Sequence, residues 1–406
     1  MKKQSRRTDP DITKVFRITD CTRCSNECAD ACPVYRCYGT GHPQHLAGRF
    51  LKEGSAGIDG HRLLWGCVTC GACTEACPFD VPFADFIREL RLGRSDYEPV
   101  LEGLVHRYQR MQAVPAASAA RRTRATSKNG GKTKIVQDRL SWVDTSLDVN
   151  RTRGIVLFVG CIPFFDVAFG ETCGTGPIDS ARAAVRILNR LGVSPVILED
   201  ERCCGRDLYD IGDRETFMEL AGHNVALLKA RTIKTVLTLC PECAYTLRET
   251  YRELFGTLPF KVMHVTEHIA GHIDKLDIEP TGERLAFHDP CYLARYLDCT
   301  QAPRRLLAAA TGAAPVEMER HGRETACCGA GSWVNHGPHT RNAVNERIVE
   351  AKRAGADGIV TACPKCMIVF HEVNPACAWK QAPVVVNDLL TLVASRLRGE
   401  EKRDIR

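Results

Sequence analysis

The chain has 406 residues, 44% of them hydrophobic and 26% charged, which is enough for two or three domains and a sizeable core. No apolar run approaches the ~18–20 residues of a membrane span, and no apolar segment follows the basic start MKKQSRRTDPDITK, which argues against a secretory leader. The formal charge of +6 is carried by residues 121–139, with seven basic side chains (Arg121, Arg122, Arg124, Lys128, Lys132, Lys134, Arg139) and one acid, Asp138. The rest of the chain is balanced, so no basic face speaks for nucleic acid. The expectation is a cytoplasmic protein, or one held at the inner face of a membrane through a partner.

The 22 cysteines are the informative number. A reducing compartment would not keep them as disulfides, so their clustering points to metal or catalysis. In chain order, the first group is Cys21, Cys24, Cys28 and Cys32 before Pro33, spaced C-x2-C-x3-C-x3-C-P. The second is Cys67, Cys70, Cys73 and Cys77 before Pro78, spaced C-x2-C-x2-C-x3-C-P. The second spacing is the bacterial ferredoxin signature, in which three close thiolates wrap one [4Fe–4S] cube and the fourth serves the other. One cube would take Cys21, Cys24, Cys28 and Cys77, and the other Cys67, Cys70, Cys73 and Cys32. The extra residue before Cys28 requires a bulge in that loop. Structural zinc is the alternative, but it has no need of crossed C-x3-C-P ends. Residues 82–93 and 101–111 show apolar residues at helical spacing. Residues 1–110 therefore read as an α-helical ferredoxin-like domain with two clusters, followed by a flexible basic linker over 111–150. Leu140 and Trp142 could pack back onto either neighbour.

The remainder repeats one pattern. Cys161, Cys203-Cys204-Gly205 and Cys240-Pro241-Glu242-Cys243 recur as Cys291, Cys327-Cys328-Gly329 and Cys363-Pro364-Lys365-Cys366, at offsets near 125 residues. Strands are expected at 155–159, 235–239, 285–287 and 358–362. Helices are expected at 180–191, 215–230, 304–311 and 341–354. This alternation implies tandem α/β domains with parallel sheets, a first repeat over 151–280 and a second over 281–406. Ligands in such sheets sit beyond the carboxyl ends of the strands, where all the cysteine elements fall. Five thiolates per repeat exceed what one zinc or one cube uses. A thioredoxin-like dithiol or a zinc ribbon would leave cysteines unexplained. Cys37, Cys173, Cys299 and Cys377 are left over as small core residues. His288 reads as a structural neighbour of its cluster, and Glu201, Asp207 and Tyr209 as packing and loop-capping groups. No G-x-G-x-x-G or Walker loop is present, so electrons would come from a partner rather than from a nucleotide bound here.

The two CCG repeats resemble the cysteine-rich domains of the B-type subunit of heterodisulfide reductase, and the N-terminal domain looks like the C-type subunit of that enzyme. Their fusion is similar to the D-type heterodisulfide reductase subunit. Related architectures occur in iron–sulfur subunits of glycolate, lactate and glycerol-3-phosphate oxidoreductases, and beside the tungsten-dependent aromatic acyl-CoA reductase. The resemblance implies up to two noncubane [4Fe–4S] clusters. Cys161, Cys203, Cys204, Cys240 and Cys243 would hold one, and Cys291, Cys327, Cys328, Cys363 and Cys366 the other. A disulfide would be cleaved between them, with Cys204 and Cys328 at the catalytic centre. It also implies redox partners: a flavoprotein, a b-type cytochrome, a tungsten or molybdenum enzyme, or ferredoxin. Two alternatives stand beside this reading, a non-catalytic electron relay and a zinc-binding interaction protein.

Overall fold

The computed structural model describes residues 7–94, 102–113, 139–173, 176–333, 337–373 and 384–398; the side chains of residues 102–104, 172 and 173 are also outside the description. Residues 114–138 of the expected linker, the Cys173 side chain and Cys377 lie outside the described residues. No described helix is long and apolar enough to cross a membrane.

The N-terminal domain is built of short helices, as its spacing predicts. Helix Pro43–Glu53 starts with Pro43 in the first turn, where its missing N–H costs nothing, and His42 caps it by accepting the His45 N–H at 3.2 Å. Helix Phe83–Arg91 buries Phe83, Phe86, Ile87 and Leu90, at helical spacing, against Phe16 and Phe50. Phe50 and Phe86 meet edge to face at 5.1 Å. The same helix also buries Arg88 and Arg91. Those two cations face the repeats, where their partners lie.

Each repeat is a three-stranded parallel sheet. The first orders β1 (Gly154–Phe158), β2 (Ile233–Thr238) and β3 (Lys261–His264). The second orders β4 (Leu285–His288), β5 (Gly358–Thr361) and β6 (Val385–Asp388). Phe158 is opposite Thr238 in the first sheet, and His288 is opposite Thr361 in the second, so the registers coincide. A parallel bridge from Val196 to Val156, and from Val316 to Ala286, extends each sheet by one short strand position. The Cys-Cys pairs follow those bridges, and the Cys-Pro-x-Cys motifs follow the central strands. Helices Asp179–Arg190, Arg214–Lys229, Gln301–Thr311 and Pro338–Arg353 intervene, each within three residues of the expectation.

The repeats face each other about a pseudo-twofold axis. Helix Asp179–Arg190 packs on Leu389–Ala394, and its counterpart Gln301–Thr311 packs on Val265–Ala270. Such reciprocal contacts are what two-fold related copies make. The expected linker is not free along its whole length. Trp142 and Leu147 are buried in a core that the two repeats share, Arg182 of the first repeat donates to the Trp142 carbonyl at 3.1 Å, and Arg139 bonds the Gly160 carbonyl at 2.7 Å. Leu140–Asn150 thus packs on the first repeat, and residues 111–113 complete helix Glu102–Ala113.

Candidate redox site

The structure gathers the cysteines into four groups. Cys21, Cys24, Cys28 and Cys77 surround one small cavity, with Cys73 on its wall. Cys32, Cys67, Cys70 and Cys73 line another. The crossing expected from the spacing is therefore present in space. Asn26, with φ 77°, takes up the extra residue before Cys28, a conformation that asparagine tolerates. Cys32 caps helix Pro33–Tyr38 at its N-terminus, the end that favours a thiolate. Even so, burial pushes the Cys32 and Cys21 thiols up to about 12, and in Cys21 the neighbouring Cys28, Cys77 and Cys24 add to it.

The five cysteines of each repeat also converge. In the first, Cys203 contacts Cys161 and Cys204, Cys204 Sγ lies 3.4 Å from Cys243 Sγ, and Cys243 contacts Cys240. In the second, Cys327 contacts Cys291 and Cys328, Cys328 Sγ lies 3.2 Å from Cys366 Sγ, and Cys366 contacts Cys363. Gly205 and Gly329 adopt φ 81° and 84°, and so turn their N–H groups onto the Cys203 and Cys327 sulfurs at 3.4 and 3.3 Å. A side chain would be strained at either glycine. Gln109 of the N-terminal domain donates Nε2–H to Cys203 Sγ at 3.3 Å, and to Asp207 at 2.8 Å.

These thiols fit a metal-bound state better than a free one. Hydrogen bonds from two neighbouring thiols pull each of Cys240 and Cys328 well below the usual thiol range. Cys204, Cys243, Cys363 and Cys366 are held well above the thiol range by those same sulfur contacts and by burial. Full ionisation of such a buried cluster needs cations among the sulfurs. None of the twenty described cysteines is in a disulfide. The donor set is sulfur throughout, which suits iron–sulfur units or zinc and not a hard cation.

The groups also touch one another. Cys70 of the N-terminal domain hydrogen-bonds Cys327 of the second repeat, and Cys240 of the first repeat hydrogen-bonds Cys363 of the second. Around the second contact, Lys365 Nζ lies 2.5 Å from both Asp207 and Glu242, all three buried, with the ammonium 5.7 Å from the Trp333 ring. Glu242 and Lys365 occupy the same position of the two Cys-Pro-x-Cys motifs, so the pseudo-twofold axis brings opposite charges together. Asp210 joins all three domains. It accepts from Arg88 Nε at 2.6 Å, Arg206 at 2.8 Å, Thr69 at 3.0 Å and Ser332 at 2.8 Å. Arg295 donates to the Cys70 carbonyl at 2.8 Å, and Tyr296 to the Thr69 carbonyl at 2.7 Å. Gly331 lies against the Val68 carbonyl, where a Cβ would come within 2.1 Å.

The sequence expectation for Asp207 and Glu201 needs enlarging. Asp207 is a partner of Lys365 and Gln109, while Glu201 caps the Val159 and Gly160 N–H groups at 2.9 Å and pairs with Arg139. Tyr209 stacks edge-on with Phe217, in keeping with a packing role. Cys37 lies near Arg62 and Glu346, and Cys299 near Thr266, outside the four groups. Lys365, Gln109 and Asp210 were missed by the sequence reading. Only Lys365 had a signal, the charge reversal between CPEC and CPKC.

Comparison with known proteins agrees with this arrangement. A 4Fe-4S dicluster domain matches residues 17–81, and a cysteine-rich domain matches twice, over 155–248 and 285–371. The chain is 29% identical to the D-type subunit of the dihydromethanophenazine:CoB–CoM heterodisulfide reductase of Methanosarcina barkeri, over 95% of each chain. It is 25% identical to the B-type subunit of a fumarate reductase (CoM/CoB) of Methanothermobacter marburgensis, over 88% of this chain and 68% of that one. A crystal structure of a hypothetical Helicobacter pylori protein shares the fold, with TM-score 0.50 and 12% identity, over 98% of this chain and 73% of that one. With an α-helical dicluster domain fused to two cysteine-rich domains, the chain resembles the D-type heterodisulfide reductase subunit over nearly its whole length.

Proposed function

We propose that this chain is the electron-transferring iron–sulfur subunit of a multi-subunit oxidoreductase, and that the junction between its repeats reduces a disulfide. Cys21, Cys24, Cys28 and Cys77 would hold one cubane [4Fe–4S] cluster, and Cys32, Cys67, Cys70 and Cys73 another. The two five-cysteine groups would each hold a noncubane [4Fe–4S] cluster. When bound, such clusters supply one-electron transfer between neighbouring sites. The observation that carries the reading is the series of sulfur contacts from Cys70 through Cys327, Cys328, Cys366 and Cys363 to Cys240, with Cys73 lining both N-terminal cavities. Its order makes the second repeat's cysteine group the neighbour of the N-terminal cysteine groups. The proposed reaction breaks one S–S bond, consumes two electrons from a redox partner and two protons from solvent, and leaves two thiols. The partner would be a flavoprotein, a b-type cytochrome, a tungsten or molybdenum enzyme, or ferredoxin.

A pure relay role is favoured by one observation: Asp207, Glu242 and Lys365, at the junction, are each at most 5% exposed. Protein purified without oxygen should contain about sixteen irons with matching sulfide. Background iron with stoichiometric zinc would overturn both redox readings. With reduced viologen as donor, Cys204→Ser or Cys328→Ser should abolish disulfide reduction and leave the N-terminal cluster signals intact. Unchanged turnover in both variants would leave the relay.

A further inference from the structure

The two repeats differ at one point that their shared register makes exact to compare. Strand β1 ends in Phe158, and strand β4 ends at the same place in His288. His288 is buried, and its ring stands edge-on to Phe370 at 5.0 Å. One ring nitrogen and the sulfurs of Cys328 and Cys366 all lie within 4.8 Å of one another. Those three atoms alone would suggest a histidine ligand to metal.

The proton on the ring decides against that role. Arg347 Nε donates to His288 Nδ1 at 3.3 Å. A guanidinium has no acceptor and stays protonated, so Nδ1 must present its lone pair. An imidazolium would set N–H against N–H. The ring is therefore the neutral tautomer with its proton on Nε2, where it is a donor and not a ligand. Arg347 is held in turn by the Arg320 carbonyl, at 2.8 Å, and by Glu350. Nε2 has no hydrogen-bond partner, sulfur included, and is a buried donor left unsatisfied. The sulfurs of Cys328 and Cys366, within 4.8 Å of a ring nitrogen, are the acceptors a small shift would give it.

We propose that His288, oriented by Arg347, donates its Nε2–H to the Cys328 sulfur and makes the second repeat's cluster easier to reduce than the first repeat's geometry alone would. At this strand position Phe158 offers the first repeat no such donor; the side-chain donor there is Gln109, on the Cys203 sulfur. The inference rests on the iron–sulfur reading above and deepens it. Hydrogen bonds to cluster sulfur raise reduction potential, so His288 favours an electron resting on the cysteine group that touches Cys70 of the N-terminal domain. His288 acts through Cys328 and is a positioning residue.

The test is an EPR-monitored redox titration of the iron-loaded protein and of the variants His288→Phe and His288→Gln, with iron content measured in each. Phenylalanine is the residue that fills the equivalent place in the first repeat. Glutamine can still accept from Arg347 and donate towards sulfur. His288→Phe should move one midpoint to lower potential, by up to about tenfold in the reduction equilibrium (~59 mV for one electron). The other midpoints and the iron content should stay fixed, and His288→Gln should recover most of the shift. The proposal falls if that midpoint does not move, if both variants move it equally, if all midpoints move together, or if His288→Phe loses one cluster's iron. A wild-type protein with no signal beyond the two N-terminal clusters would overturn the iron–sulfur reading of the repeats itself, and this inference with it.

Discussion

Lys365 offers the sharpest test of how the two repeats are joined. Its ammonium is 4% exposed and sits 2.5 Å from two carboxylates of the other repeat, Asp207 and Glu242. Burial raises the Glu242 carboxyl well above its usual range, and the Lys365 charge opposes that rise. Lys365→Met would leave both acids without a cation. Removing one partner of a buried ion pair costs about 3–5 kcal/mol, because the remaining charge stays buried. The lost contact with Trp333 adds up to about 1 kcal/mol, and the methionine side chain recovers part of the packing. For a body of this size, 1 kcal/mol lowers Tm by about 2–4 °C, so calorimetry of the iron-loaded protein should show a drop of about 6–20 °C. The triple variant Asp207→Asn, Glu242→Gln, Lys365→Met carries no charge there, and should return to within about 2 kcal/mol of wild type. A Lys365→Met loss below about 1 kcal/mol, the value of a solvated pair, would refute the reasoning. A triple variant as unstable as the single one would refute it equally.

Other outcomes follow from the same physics. Asp210→Asn leaves Arg206 without its counter-charge and Arg88 with only the partly exposed Asp85, so it should cost about 3–5 kcal/mol and speed amide exchange at Thr69–Gly71 as the N-terminal domain loosens. Burial alone would raise the Asp210 carboxyl, but Arg206 and Arg88 hold it well below the usual range. Its stabilisation is therefore present above the unfolded carboxylate pKa of about 4 and fades as pH falls below that value; the asparagine variant should lack this acid-side loss in urea titrations. Burial, with His45, Arg49 and His42 nearby, lowers His61 to about 4. The unfolded histidine binds its proton near pH 6.5, so stability should fall as pH drops from about 6.5 to 4, by roughly 2 kcal/mol from this group. His61→Asn keeps an acceptor for the Leu63 N–H and should flatten that slope; an unchanged slope would show that His61 does not carry it.

Much of the molecule was legible in the chain because its constraints are local. Thiolates that wrap one cube must be two or three residues apart, so Cys67, Cys70 and Cys73 reveal themselves by spacing, and the Cys-Pro junctions mark where helices begin. The helices and strands of the repeats were readable from apolar periodicity, and the duplication from recurrence at one offset. The same locality hid the interface. Apolar spacing marks the helix that carries Arg88 and Arg91 but not their burial, which follows because Asp210 arrives from far along the chain to meet both.

The amino-acid order by itself determined the composition of each sulfur group, since ligand spacing and repeat offset are properties of a one-dimensional string. Tertiary packing alone decided which groups adjoin: Cys70 beside Cys327, Cys240 beside Cys363, and Lys365 between two acids of the other repeat. Those neighbours lie about 120 to 260 residues apart. No local rule links residues at such separations; a pseudo-twofold axis and one buried carboxylate set them side by side.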